Sequence, residues 1–122
     1  MRAKYGLSGP TRDGQSDEKV MCGWLLKRGK LMKAFKQRWF RLVGSNIEYY
    51  ADIEGDCTGT IDISNRATIT LLKTSKGIPE LHIGLADGSR TFVLRADPDS
   101  RSASLETWRV GLIHAQEDTR FD

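Results

Sequence analysis

Gly23-Trp24-Leu25-Leu26-Lys27-Arg28-Gly29-Lys30-Leu31-Met32-Lys33-Ala34-Phe35-Lys36-Gln37-Arg38-Trp39-Phe40-Arg41-Leu42 is the stretch that decides how this chain folds. Two segments in it alternate apolar with polar residues, as strands do. Leu25 and Lys27 share one face of the first segment. Lys36, Arg38, Phe40 and Leu42 share one face of the second. On each strand one face is apolar at one end and basic at the end nearer the loop. Such a switch is too costly in mid-core, where unpaired charge would be buried. It is tolerable where an interior opens to water, so Lys27 and Arg38 are expected to converge on one open rim from adjacent antiparallel strands.

The charge pattern around this stretch points the same way. Lys19 to Ile47 holds eight Lys and Arg and no Asp or Glu. That 29-residue window is +8 within a chain of formal charge +3, so the other 93 residues sum to −5. Charge segregated this strongly implies an anionic partner held at one place.

Outward from the window the strand signals continue. Met21 to Arg28 and Lys36 to Val43 are the first two strands, Gly44-Ser45-Asn46 is a turn, and Ile47 to Ala51 is the third strand. Asp52 to Thr58 is an acidic loop. Gly59 to Ile63 and Ala67 to Leu72 follow as strands four and five. Glu80 to Leu85 and Arg90 to Arg95 flank Asp87-Gly88, a strong hairpin signal. Asp99 or Ser100 to Ser102 can cap a helix. Leu105, Trp108, Leu112 and Ala115 then recur at i, i+3, i+7 and i+10, one apolar face of a helix of about 14 residues. The fold class is therefore mainly β: a seven-stranded, bent antiparallel β-sandwich or barrel, capped at one end by a single C-terminal α-helix bearing Trp108.

A chain of 122 residues is one domain. Residues 1–19, rich in Gly, Ser and charge, read as a tail or linker, and 118–122 as a C-terminal tail. No apolar run approaches the ~20 residues that span a bilayer. Arg2 is not a myristoylation site and Phe121-Asp122 is no prenylation box, so membrane attachment is expected to come from the folded surface. Cys22 and Cys57 lie far apart without C-x-x-C spacing and read as reduced thiols. No Ser–His–acid cluster, metal spacing or Gly-rich phosphate loop is present, so neither catalytic residues, a metal nor a cofactor is expected.

Gly23-Trp24-Leu25-Leu26-Lys27, then Lys36-x-Arg38-Trp39-Phe40-x-Leu42, then Ile47-x-Tyr49-Tyr50, and finally Trp108 in the terminal helix resemble the pleckstrin-homology (PH) domain family over residues 20–117. The resemblance implies a phosphoinositide headgroup site between the first two strands and their loop. Lys27, Lys36 and Arg38 fall on the basic signature of lipid-binding members, and Tyr49 on a third-strand tyrosine of relatives selective for 3-phosphorylated lipids. Some relatives carry a further Arg just before the fourth strand, where this sequence has Thr58-Gly59.

The residues themselves support that implication. Arg offers a planar fork of donors and Lys a mobile point charge, which suits clustered phosphate dianions. Tyr49 can donate its hydroxyl to the same group. In the loop, Lys30 and Lys33 with Leu31, Met32 and Phe35 make a second, looser contact with the membrane surface. Each basic side chain near an anionic leaflet contributes on the order of 1 kcal/mol, and exposed apolar side chains dip into the headgroup zone. The expected partners are phosphoinositides and other anionic lipids at the cytosolic leaflet, with a cytoplasmic monomer recruited peripherally to membranes. An alternative is a protein-interaction module of the same fold with weak lipid binding. Nucleic acid is disfavoured by the Trp-bearing helix and the one-sided charge. A rival local reading makes Lys27 to Trp39 a basic amphipathic helix of calmodulin-target type.

Overall fold

A computed structural model describes residues 20–31, 33–64, 66–101 and 103–120. The tail expected at 1–19 lies outside the described residues. Seven strands are followed by one helix: β1 (Val20–Arg28), β2 (Phe35–Val43), β3 (Asn46–Tyr50), β4 (Cys57–Asp62), β5 (Thr68–Lys73), β6 (Pro79–Gly84), β7 (Thr91–Ala96) and α1 (Leu105–Arg120). All neighbouring strands are antiparallel, in the order β4-β3-β2-β1-β7-β6-β5. The expected architecture is therefore present, with strand ends shifted by one or two residues.

Each shift has a local cause. β4 begins at Cys57 rather than Gly59, because the β3–β4 ladder runs past an irregularity at Tyr49/Tyr50 that brings Cys57 opposite Tyr50. Gly44 adopts φ 60 at the first central position of the β2–β3 turn, a conformation that costs glycine nothing. In the β6–β7 loop Gly88 has φ 77, and the Leu85 N–H closes on the Arg90 carbonyl at 3.0 Å. The calmodulin-type helix is overturned: Phe35–Val43 is a strand in register with β1 along its whole length.

The apolar faces meet in one core. Leu25, Phe40, Ile47, Ile61, Ile63, Leu81, Ile83, Leu94, Trp108 and Leu112 are buried in it. From α1, Leu105, Trp108 and Leu112 enter the core and Ala115 packs against it, as the helical spacing requires. Trp108 meets Phe40 edge to face, with ring centroids 6.5 Å apart. The helix packs on β5 and β6. Its Gln116 amide donates to the carbonyls of Ile63 and Ala67 at 2.9 and 2.6 Å, tying it to the β4–β5 connection. So the helix lies over β5 and β6 and is tied to the connection between the two edge strands, β4 and β5.

The helix differs from expectation at both ends. Its N-cap is Ser104, whose Oγ accepts the Thr107 N–H at 3.1 Å. Asp99 and Ser100 do not cap it, because the helix starts only at Leu105; they lie in a preceding turn in which Asp97 Oδ1 accepts the Asp99 N–H at 3.0 Å and the Asp97 carbonyl the Ser100 N–H at 3.2 Å. Ser102 lies outside the described residues. At the other end the helix runs to Arg120, for 16 residues, into the segment read as a tail. Cys22 and Cys57 are both free.

Trp108 fills the centre of the closed end. Trp108→Ala should therefore cost about 3–5 kcal/mol, read by denaturant unfolding. A loss under about 1 kcal/mol would show that the helix contributes little to the core.

Candidate functional site

The β1–β2 register sets the site. Gly23 pairs with Phe40, Leu25 with Arg38 and Lys27 with Lys36, so these six residues share one face. Burial fades along it toward the hairpin: Phe40 is buried, Arg38 half-buried and Lys36 exposed, while on β1 buried Leu25 gives way to half-buried Lys27. The core thus opens to solvent at the end opposite the helix.

Lys27 lies over two aromatic rings at this rim. Its Nζ is 4.8 Å from the centroid of Tyr49 and 5.6 Å from that of Phe92. Burial pushes the Lys27 ammonium below the usual lysine range, and the charges of Arg90 and Arg38 push it the same way. Lys27 and Arg38 lie on one face of the hairpin, diagonal to each other across the β1–β2 register. Arg38 also donates through Nη1 to the Gln37 carbonyl at 2.8 Å, which holds its guanidinium near the strand.

Tyr49 is the floor of the rim. It is only 8% exposed and stacks on Phe40 with centroids 5.6 Å apart. Gly59 is its β4 partner. A Cβ on Gly59 would meet the Tyr49 hydroxyl and come within 2.6 Å of Cζ. The glycine at this departure from the basic pattern is what lets the tyrosine lie flat under Lys27.

Arg90 belongs to the same rim and was not singled out from the sequence. Its Cζ sits 4.1 Å from the Phe92 centroid, on the ring that Lys27 also approaches. The readable signal was parity: Arg90 and Phe92 share a face at the start of the seventh strand. Its meaning depends on β7 lying beside β1, with Lys27 opposite Leu94, which only the folded sheet supplies.

The loop residues divide. Lys30 and Lys33 are exposed and Leu31 is 88% exposed, at a tip closed by the Gly29 N–H donating to the Ala34 carbonyl at 3.1 Å. Met32 lies outside the described residues. Phe35 is not at the tip. It opens β2 on the opposite face from Lys36, with the Arg95 guanidinium 4.1 Å from its ring centroid. The basic rim and the loop tip are thus separate surfaces joined by one hairpin.

The fold is thus a small antiparallel β-sheet with one helical plug and cationic side chains at its open rim. A family model described as PH domain matches residues 19–115, and the chain belongs to that family. The PH domain of human KIAA0053 protein superposes with a TM-score of 0.65 at 25% identity, covering 92% of this chain and 95% of that one. The C-terminal PH domain of pleckstrin, solved in complex with D-myo-Ins(1,2,3,5,6)P5, superposes with a TM-score of 0.59 at 24% identity, covering 80% and 91%. Mouse Rho GTPase-activating protein 24 is 41% identical over 39 residues, which is 32% of this chain and 5% of that protein.

Gly59→Ala should force the Tyr49 ring off its seat and lower stability by about 1–3 kcal/mol. Thermal unfolding reads the loss, and the Lys27 side-chain resonances should lose the ring-current shift they owe to Tyr49. An unchanged Lys27 spectrum would show that the tyrosine does not carry the ammonium.

Proposed function

We propose that this domain is a non-catalytic membrane-recruitment module that binds phosphoinositide headgroups at the cytosolic leaflet. The observation that carries the reading is the gathering of Lys27, Arg38 and Arg90 at one half-open rim: Lys27 and Arg90 both approach the Phe92 ring, at 5.6 and 4.1 Å, and Arg38 lies on the same face of the β1–β2 hairpin as Lys27. Three like charges crowded at one rim repel one another in the empty protein. A phosphorylated inositol relieves it, because each dianion draws several cations at once. Lys36 extends the rim toward the membrane, and Tyr49 supports Lys27 from below. Lys30, Lys33 and Leu31 then add a weak, headgroup-independent contact at the loop tip. Two weak contacts through one hairpin give reversible attachment. An inositol phosphate bound to pleckstrin's C-terminal PH domain is a precedent within the fold.

Titration with vesicles carrying different phosphoinositides, at two salt concentrations, tests this. Wild type should bind with headgroup preference. Lys27→Ala/Arg38→Ala should lose at least about tenfold in affinity, and Arg90→Ala somewhat less. Equal binding by wild type and the double variant overturns the reading. Binding that ignores the headgroup and vanishes with salt means diffuse attraction. Affinity for a cellular protein in lipid-free buffer, surviving the double substitution, favours the protein-interaction alternative.

The depressed Lys27 gives a pH signature. A bound phosphate favours the ammonium form, so binding is strongest where Lys27 is protonated. As pH rises, Lys27 discharges before an ordinary lysine does, and affinity should begin to fall below the usual lysine range near 10.4. Arg90→Ala should move that fall to higher pH, since it removes a neighbouring positive charge. Calorimetry in buffers of different ionisation heat reads the proton taken up on binding.

A further inference from the structure

Two side-chain straps cross β1 on the face opposite the cationic rim. Side chains alternate along β2, so Phe35 and Gln37 face one way while Lys36 and Arg38 face the other. β1 separates β2 from β7 in the sheet, which puts those two strands two spacings, about 10 Å, apart. Side chains nonetheless bridge the distance. The Phe35 ring lies under the Arg95 guanidinium at 4.1 Å, and the Gln37 amide donates to Asp97 Oδ2 at 2.6 Å. Leu26 is the β1 residue in register with both Gln37 and Arg95.

The far ends of both straps, Arg95 on β7 and Asp97 just after it, are anchored, Asp97 by accepting the Asp99 N–H on Oδ1. Glu80 Oε2 accepts from Arg95 Nε and Nη2 at 3.0 and 2.7 Å, and His82 Nε2 lies 2.9 Å from Glu80 Oε1. Glu80 is 6% exposed and Asp97 5%. Burial alone would push the Glu80 carboxyl up, but hydrogen bonds from His82 and Arg95 outweigh it and hold it below the usual range. Gln37 does the same for Asp97, against the effect of burial. A buried carboxylate gives up such partners only at a large desolvation cost. Arg95 therefore uses the edge of its guanidinium for Glu80 and the face for Phe35. A lysine has no planar face to offer and cannot do both.

We propose that Arg95 and Glu80 are positioning residues for the membrane-facing hairpin: by clamping Phe35 on one face of β2 they aim Lys36 and Arg38 on the other, without touching the ligand. The functional half of this inference rests on the phosphoinositide reading above. The sequence assigned Phe35 to the membrane; the strap assigns it to the hairpin's root.

Arg95→Lys tests the clamp with net charge conserved, and Phe35→Leu cuts the same strap from its other end while leaving Arg95 on Glu80. The reporter is the Gly29 amide, whose bond to Ala34 closes the loop. In both variants its hydrogen exchange should accelerate about tenfold while amides of β5 and α1 keep their rates. Affinity for a soluble inositol phosphate and for phosphoinositide-containing phosphatidylcholine vesicles should fall about three- to tenfold. Unchanged Gly29 exchange, or acceleration of all amides together, overturns the clamp. If wild type binds phosphoinositide vesicles and both variants bind as well as it does, the positioning role fails and the proposed function stands. If wild type binds none, the proposed function and the functional half of this inference fail together, and the exchange rates still decide the clamp.

Discussion

An ammonium suspended over two rings, where a hydrophobic core meets water, is the interaction around which the rest of this domain is arranged. Lys27 sits 4.8 Å from Tyr49 and 5.6 Å from Phe92. Tyr49 lies on Phe40, and Phe40 lies against Trp108 of the closing helix. One aromatic column thus runs from the plugged end of the fold to its open end. The plug supplies core enough to fold, and the open end is left to carry charge. Aromatic walls suit that end because their faces attract cations while their bodies remain apolar.

β2 carries both core residues and rim charges. Its inward residues pass from buried Phe40 through half-buried Arg38 to exposed Lys36. Its outward residues are occupied in turn: Trp39 meets Trp24 at 5.3 Å, Gln37 holds Asp97 and Phe35 lies under Arg95. A strand fastened along one face can present charges rigidly on the other. That matters for a charged ligand, since a cation already held in place loses little side-chain freedom on binding.

The rim is lopsided. Its cations come from β1, β2 and the residue before β7, whereas β4 carries none and brings Gly59 against Tyr49. The protein gives up a side chain on that wall so that the tyrosine can lie flat beneath Lys27.

Much of this was legible in the chain. Period-two alternation in 21–28 and 36–43 marked two strands and showed where apolar positions turn basic. The spacing of Leu105, Trp108, Leu112 and Ala115 marked the helix and its buried face, because both patterns are local consequences of backbone geometry. Other features were not local. Arg90 joins Lys27 only because β7 lies beside β1, a neighbourhood set by the whole sheet. Phe35 reads as an exposed loop residue until Arg95, sixty positions later, covers it. Ser104 rather than Asp99 or Ser100 caps α1, since the chain first makes a turn around Asp97 and the helix starts only at Leu105. Sequence by itself determined which side chains alternate and where charge accumulates. The tertiary structure alone decided which distant residues share a surface, because strand order and register, not spacing along the chain, set those distances.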